Sequence, residues 1–398
     1  MMALPVDTSS NTTPTSSGNG PTVPSDGNSI RKFYTITASL RETYDDNVNT
    51  TKDDKVSALE TSFTPSVLVD FPSVNSDFSA RETFGVTYYS AGGSGVAGDD
   101  KPSINLTDEF VAQYQKSFSD RYTLNASEQF RYYSEPSIYE STGTLYSNGS
   151  YISNIFNPVF TAQWTPLFST TTTYSNTVIR YQDALQALQQ NSIENTESQS
   201  FNYAVFPKIT LSVGAIADDI SYEQNDRGYN SYTLYAGAQW EPLPSLTLVG
   251  RVGGSYTLAD QAPASVTPYI DAEIDWTLGQ KSSLNFIYTH EVVPTDQFGA
   301  DGEVVDRFSG AFNYNLTSRI STNLQLIYSY ADVTQTLLIG GLLPAYTEND
   351  YGASVGATYH YDNYVDFEGG FSTYGISSGL SERDYNRNQV YLGVRGTY

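Results

Sequence analysis

From Ile30 onward, polar and apolar positions alternate and hardly stop. Tyr34, Ile36, Ala38 and Leu40 face one way, while Thr35, Thr37, Ser39 and Arg41 face the other. After the polar stretch DDNVNTTKDDK, Leu59, Thr61, Phe63, Val67 and Val69 oppose Glu60, Ser62, Thr64, Ser66 and Asp70. A period of two marks strands with one apolar and one mixed face. Continued along the chain, it predicts about 18 strands of about 10–15 residues, long enough to cross a bilayer when tilted. The connections alternate as well. Short ones (PSVNS, SFSD, TPLF, FPK, EPLPS, LGQKS, LTSR, YDN) trade places with longer polar ones. A soluble sandwich has no reason to keep that beat. An all-β, transmembrane, antiparallel up-and-down barrel does, with short turns on one side of the membrane and longer loops on the other. An even strand count returns both ends of residues 30–398 to the short-turn side.

Composition changes this picture little. The chain has 398 residues, 33 Tyr, 30 Gly, two His, no Cys and a formal charge of −24. Its mean hydropathy is −0.37 and no apolar run suits a membrane helix. A membrane barrel alternates lipid-facing and lumen-facing residues, so low mean hydropathy is its expected signature. Without Cys there is neither a disulfide scaffold nor a cysteine-ligated metal. Residues 1–29 form a Thr/Ser/Asn/Gly/Pro tract, too poor in apolar side chains to fold. They predict a disordered tail preceding the barrel, on an exported chain whose signal has been removed.

The last stretch, NQVYLGVRGTY, puts Val390, Leu392, Val394, Gly396 and Tyr398 on one face and ends on an aromatic. Through Tyr391, Gly393 and Tyr398 it resembles the closing strand of Gram-negative outer-membrane β-barrels, with Gly396 where that pattern has an apolar residue. The resemblance implies a bacterial outer-membrane location, a periplasmic N-terminus, and recognition of the last strand by the barrel-assembly machinery. Trp164, Trp240 and Trp276 each precede a short turn and share the parity of the lipid face. With Tyr398 they predict a periplasmic aromatic girdle, because amphipathic rings favour the headgroup level. Near the start, ASLRETYDDNV resembles, through Glu42, Tyr44, Asp46 and Asn47, the opening of the β-barrel porins found beside exosortase and exopolysaccharide loci. That likeness implies a pore or secretion role.

Parity then sorts the charged residues. Arg41, Arg81, Arg131 and Arg395 fall on the lumen face of the first, third, fifth and last strands, and Asp271, Glu273, Asp275, Glu291 and Glu368 on a lumen wall read as opposite. Opposed walls of that kind orient dipolar solutes; the alternative is that the charges pair across a wet interior. Glu82, Asp108 and Glu128 break parity on adjacent strands and face lipid, a candidate protein or homo-oligomer contact. The apolar run around Leu337, Leu338, Ile339, Leu342 and Leu343 is a candidate plug or partner loop. Excess acid reads as outer-loop acid (Asp45, Asp46, Asp53, Asp54, Asp99, Asp100, Asp218, Asp219, Asp301, Glu303, Glu348, Asp350, Glu382 and Asp384), suited to sharing cations with lipopolysaccharide, and argues against nucleic acid. Neither His290, of lipid-face parity, nor His360, of lumen parity, sits in a catalytic motif. No metal cluster, phosphate loop or cofactor site is legible, so the chain reads as a non-enzyme. The expected function is passive, mildly cation-selective passage of small hydrophilic solutes or saccharides. The alternative is a structural or adhesive barrel with a plugged lumen.

Overall fold

The computed structural model describes residues 33–90, 103–133, 150–183, 187, 190–223, 227–260, 262–295, 302–333, 336–338, 341–343, 345–380 and 383–398. The predicted tail lies outside these residues. The strands are β1 (Tyr34–Asp45), β2 (Ala58–Asp70), β3 (Ser76–Tyr89), β4 (Ser103–Ser119), β5 (Tyr122–Tyr133), β6 (Tyr151–Gln163), β7 (Phe168–Tyr181), β8 (Ser192–Phe206), β9 (Ile209–Tyr222), β10 (Gly228–Leu243), β11 (Leu246–Ala259), β12 (Ser265–Leu278), β13 (Ser282–Val293), β14 (Glu303–Asn315) and β15 (Ile320–Val333). A small separate hairpin follows, β16 (Thr336–Leu338) and β17 (Gly341–Leu343), then β18 (Tyr346–His360), β19 (Val365–Ser378) and β20 (Tyr385–Thr397).

Apart from the hairpin, all strands form one 18-stranded sheet in which each pairs with the next, β15 pairing with β18. β1 also pairs antiparallel with β20, from Thr37↔Thr397 to Asp45↔Gln389, and this closes the barrel. Closure matters in lipid because an open edge would leave a row of amides and carbonyls without partners. The predicted strand number and closing pair are thus the observed ones. The seam is short: nine residue pairs join β1 to β20, against twelve for β1 to β2.

Alternation translates directly into two environments. On β1, Leu40 is 49% exposed while Asp45, at the inward parity, is fully buried. The outward set is dominated by large apolar side chains such as Leu234, Val252 and Leu392, the surface that hydrocarbon covers. Small inward apolar clusters sit toward the long-loop end: Tyr151 with Ile179 and Tyr181, Ile220 with Tyr222 and Tyr229, and Val293 with Val305 and Ala331. At the opposite end the turns are tight. Register shifts occur there in β4–β5, β8–β9 and β10–β11, where a bulge lets a strand leave the ladder. In the turn between β12 and β13, Gly279 takes a φ of 71°, which a side chain would disfavour.

Candidate functional site: the lumen and its outer end

Inward parity holds for Arg41, Arg81, Arg131, Arg395, Asp271, Glu273, Asp275, Glu291 and Glu368, each of which alternates with outward neighbours along its strand. They do not form two opposed walls. Arg41 donates to Glu368 at 2.7 Å across the intervening β20, so Glu368 belongs to the arginine side. Arg395 pairs with Asp366 at 2.7 Å, and His360 Nδ1 meets the same carboxylate at 2.7 Å. Arg131 pairs with Glu109 at 3.0 Å and Arg251 with Asp271 at 2.9 Å. The transverse field expected from sequence is therefore largely cancelled by local pairing. Three of these pairs sit directly opposite each other on adjacent strands, and strand tilt brings Arg41 and Glu368, two strands apart, to one height.

Glycine fixes one of these pairs. Arg41 stacks 4.2 Å above the ring of Tyr391. A Cβ on Gly370 would lie 2.7 Å from that ring, and one on Gly356 3.1 Å from its hydroxyl. The bare inner surface lets Tyr391 lie flat and present its face to the guanidinium.

A second group of inward acids lies elsewhere. Glu194 on β8, Asp218 on β9 and Glu291 on β13 line a small recess with Tyr269 and the hydroxyl residues Ser231 and Thr233. Glu194 is 95% buried there, since only 5% of its surface is exposed. Asp275 accepts from Asn285 at 2.7 Å. Among the described residues no salt bridge engages Glu194, Asp218, Glu273 or Asp275. Asp218 was expected in an outer loop, as were Asp45, Glu303, Glu348 and Asp350. All five lie at strand ends, and four are inward and buried: Asp45, Glu303, Glu348 and Asp350. Polar inward side chains near a strand's end look like loop residues in sequence, which explains the misplacement. Asp99, Asp100, Asp301 and Glu382, also read as outer acid, lie outside the described residues.

The long-loop end is tied shut at the seam. Asp45 and Arg387 form an ion pair in which neither side chain is more than 1% exposed. Asp45 also accepts from the Asn47 amide at 2.8 Å and from Gln389 Nε2 at 2.7 Å. Asp46 accepts from the Asn388 amide and side chain, both at 2.7 Å, and Asn47 Nδ2 donates to the Asn386 carbonyl at 2.7 Å. Asn47, Asn49 and Thr50 are buried as the loop after β1 folds inward. The Asp-Asp-Asn run singled out for its family resemblance is thus a latch that joins the first strand to the last. Arg383 paired with Glu348 at 2.7 Å adds a second buried tie nearby.

On the outside, Glu82, Asp108 and Glu128 keep the outward parity expected of them. His290 is also outward and meets Asp306 at 2.9 Å, as does the Tyr288 hydroxyl at 2.7 Å. Trp164, Trp240, Trp276 and Tyr398 are all exposed at the short-turn end. The apolar run is the hairpin β16–β17, pairing Leu337 with Leu342 and Leu338 with Gly341; Ile339 lies outside the described residues.

A closed, apolar-coated antiparallel barrel of this kind has the fold of a transmembrane β-barrel. Residues 255–398 match the family described as "Putative beta-barrel porin 2". Similar solved structures include the outer membrane protein OpdK from Pseudomonas aeruginosa (10% identity, 92% of this chain and 99% of that one, TM-score 0.46). They also include a BenF-like porin from Pseudomonas fluorescens Pf-5 (11%, 92% and 99%, TM-score 0.47) and the FrpB iron transporter from Neisseria meningitidis (10%, 93% and 82%, TM-score 0.44). No curated protein matches the sequence.

Proposed function

We propose that the barrel is a passive, mildly cation-selective channel for small hydrophilic solutes, saccharides among them, with the N-terminus and short turns in the periplasm. The observation that carries the reading is the interior charge balance. Arg41, Arg131, Arg251 and Arg395 each have a carboxylate partner, whereas among the described residues no salt bridge engages Glu194, Asp218, Glu273 or Asp275. Residual acid on a polar wall raises local cation concentration and repels anions within about 8–10 Å at physiological salt. The C-terminal strand, on this reading, is the signal read by the assembly machinery, and lipid with lipopolysaccharide covers the girdle between the aromatic and loop ends. No step of chemistry is assigned to either histidine, each being held against an aspartate.

A second reading has its own observation. The inward-folded, buried residues Asn47, Asn49 and Thr50 narrow the outer end, as a structural barrel with a plugged lumen would require. Planar-bilayer recording separates the two. Stable conductance steps with a cation-side reversal potential support the channel. Silence from protein that migrates as a folded, heat-modifiable barrel supports the structural role.

A further inference from the structure

A hydroxyl, an imidazole and a carboxylate meet inside the barrel at its short-turn end. Ser321 lies at the start of β15, His360 at the end of β18, and Asp366 just past the turn into β19. The register sets Ser321 opposite Thr358 and His360 opposite Asp366, so all three share the inner face. Arg395 on β20 lies opposite Asp366 on that same face. His360 Nδ1 is 2.7 Å from Asp366 Oδ1, and Nε2 is 3.3 Å from the Ser321 hydroxyl. Arg395 donates twice to the other carboxylate oxygen, at 3.3 and 2.7 Å, and so fixes its orientation.

The turns hold this line in place. Just before Ser321, Thr317 Oγ1 accepts from the Arg319 and Ile320 amides at 3.1 and 3.0 Å, and the His360 amide donates to the Arg319 carbonyl at 2.8 Å. Between His360 and Asp366, Asp362 accepts from the Tyr364 and Val365 amides at 2.8 and 2.9 Å. Side chains on strand ends braced in this way keep their spacing better than side chains on long loops. Asn323 lies two residues from Ser321 on the same face, and no hydrogen bond engages its side chain among the described residues. A Cβ on Gly356, its partner across the ladder, would lie 2.5 Å from Asn323 Oδ1, so glycine makes room for the amide. His290 offers a contrast within the same chain. It also meets an aspartate, but it faces outward and no serine hydroxyl engages its other nitrogen among the described residues.

An imidazole held by Asp366 keeps its proton on Nδ1, which leaves Nε2 to accept one from Ser321. The 3.3 Å separation is the looser contact common before a substrate is bound. We propose that Ser321, His360 and Asp366 form a serine-esterase site that hydrolyses short-chain carboxylic esters of hydrophilic alcohols inside the barrel. Ser321 Oγ attacks the ester carbonyl, and its proton passes to His360 Nε2. The Asn323 amide is the donor available to the carbonyl oxygen as it becomes negative. The bond to the alkoxy oxygen then breaks, and that oxygen takes the proton from Nε2 and leaves as the alcohol. Water attacks the acyl-serine and gives a proton to Nε2; the acyl group leaves as the acid, and Ser321 recovers its hydrogen. Water is the sole co-reactant, and nothing is oxidised or reduced. The wall sets the substrate class: Asn313, Asn315, Asn323 and Thr358 surround Ser321 across the ladder and offer no apolar slot for a long acyl chain. The His360 side chain is 42% exposed, so a solute in the lumen reaches it. The inference goes beyond the channel reading, which gives His360 no chemical part, and it stands whether or not the barrel conducts.

The test uses the full chain folded in detergent, with heat-modifiable migration confirming the fold of every variant. A fluorophosphonate carrying a fluorophore, which reacts with activated serine hydroxyls, is expected to label Ser321, located by peptide mass spectrometry. p-Nitrophenyl acetate is expected to be hydrolysed with turnover. Ser321→Ala should abolish both signals, and His360→Gln should lower kcat by about 10²-fold or more, the usual contribution of a general base. Asp366 acts through His360 as a positioning residue. Asp366→Asn should therefore lower kcat per fluorophosphonate-titrated site, and Asp366→Glu, which restores the carboxylate, should recover part of it. His290→Gln, on the outer face, should leave both readouts unchanged. An unlabelled wild-type barrel, label on another serine, or hydrolysis that survives Ser321→Ala overturns the assignment, and so does a wild-type rate in His360→Gln. None of these readouts depends on conductance, so their failure leaves the channel reading standing.

Discussion

Removing Arg387 tests the idea that a buried ion pair latches the seam. The guanidinium and the Asp45 carboxylate are taken almost wholly out of water, at 1% and 0% exposure. In the Arg387→Met variant Asp45 keeps the Asn47 amide and Gln389 but loses the guanidinium paired with it, and deleting one partner of a buried pair costs about 3–5 kcal/mol. Asp45→Asn should cost less, about 1–3 kcal/mol, because Arg387 retains Glu60 at 3.5 Å. The double variant removes both charges. It should lie well below the sum of the single changes, with a coupling of about 1.5–3 kcal/mol. Reversible denaturant unfolding in detergent measures all three through the fluorescence of Trp164, Trp240 and Trp276. These lie at the far end of the barrel, so they report global unfolding rather than local fraying at the latch. The midpoint shift multiplied by the common slope gives each value. A cost below about 1 kcal/mol for Arg387→Met, or single changes that simply add, would refute the latch.

Replacing Asp271, Glu273 and Asp275 by Asn, Gln and Asn should move the reversal potential toward the anion side without loss of heat-modifiable folding. An unmoved potential would separate this wall from the ion path. Gly370→Val should lift Tyr391 off the inner surface and destabilise by about 1–3 kcal/mol, as overpacking does, read as a lower unfolding midpoint. Lys52, bonded to Asp384 at 2.6 Å, holds that carboxyl below the usual carboxylate range, with help from the Ser378 amide. A lowered carboxyl stabilises above its unfolded pKa and loses that contribution as pH falls through the depressed value. Amide exchange around Ser378–Gly379 should therefore rise only below about pH 4, whereas Asp384→Asn should raise it at neutral pH.

Strand existence, number and closure were legible because a two-residue period survives any tilt of the barrel, and because Trp164, Trp240 and Trp276 mark the short-turn end independently of strand content. Chain-linear reading failed where three-dimensional offsets decide the partner. Arg41 reaches Glu368 across β20, and Arg395 shares Asp366 with His360. Strand ends were misread for a related reason: Asp45 and Glu348 are polar because they face partners inside, not because they lie in loops.

Local pairing also changes what the interior charge can do. Six interior arginines, Arg41, Arg131, Arg251, Arg383, Arg387 and Arg395, each hold a carboxylate within 3.0 Å. Such pairs act as short-range dipoles whose fields fall off within the pair's own neighbourhood, so the arginine-bearing side of β18–β20 and β1–β5 is nearly neutral to a passing ion. The carboxylates left over sit on β8, β9, β12 and β13, on the other side. The lumen is thus acidic against neutral rather than acidic against basic. A one-sided field draws cations to a single wall and leaves the rest of the cross-section to uncharged solutes. On the proposed channel reading, mild cation selectivity would follow, and it would weaken with salt because solvent ions screen the acids around the recess.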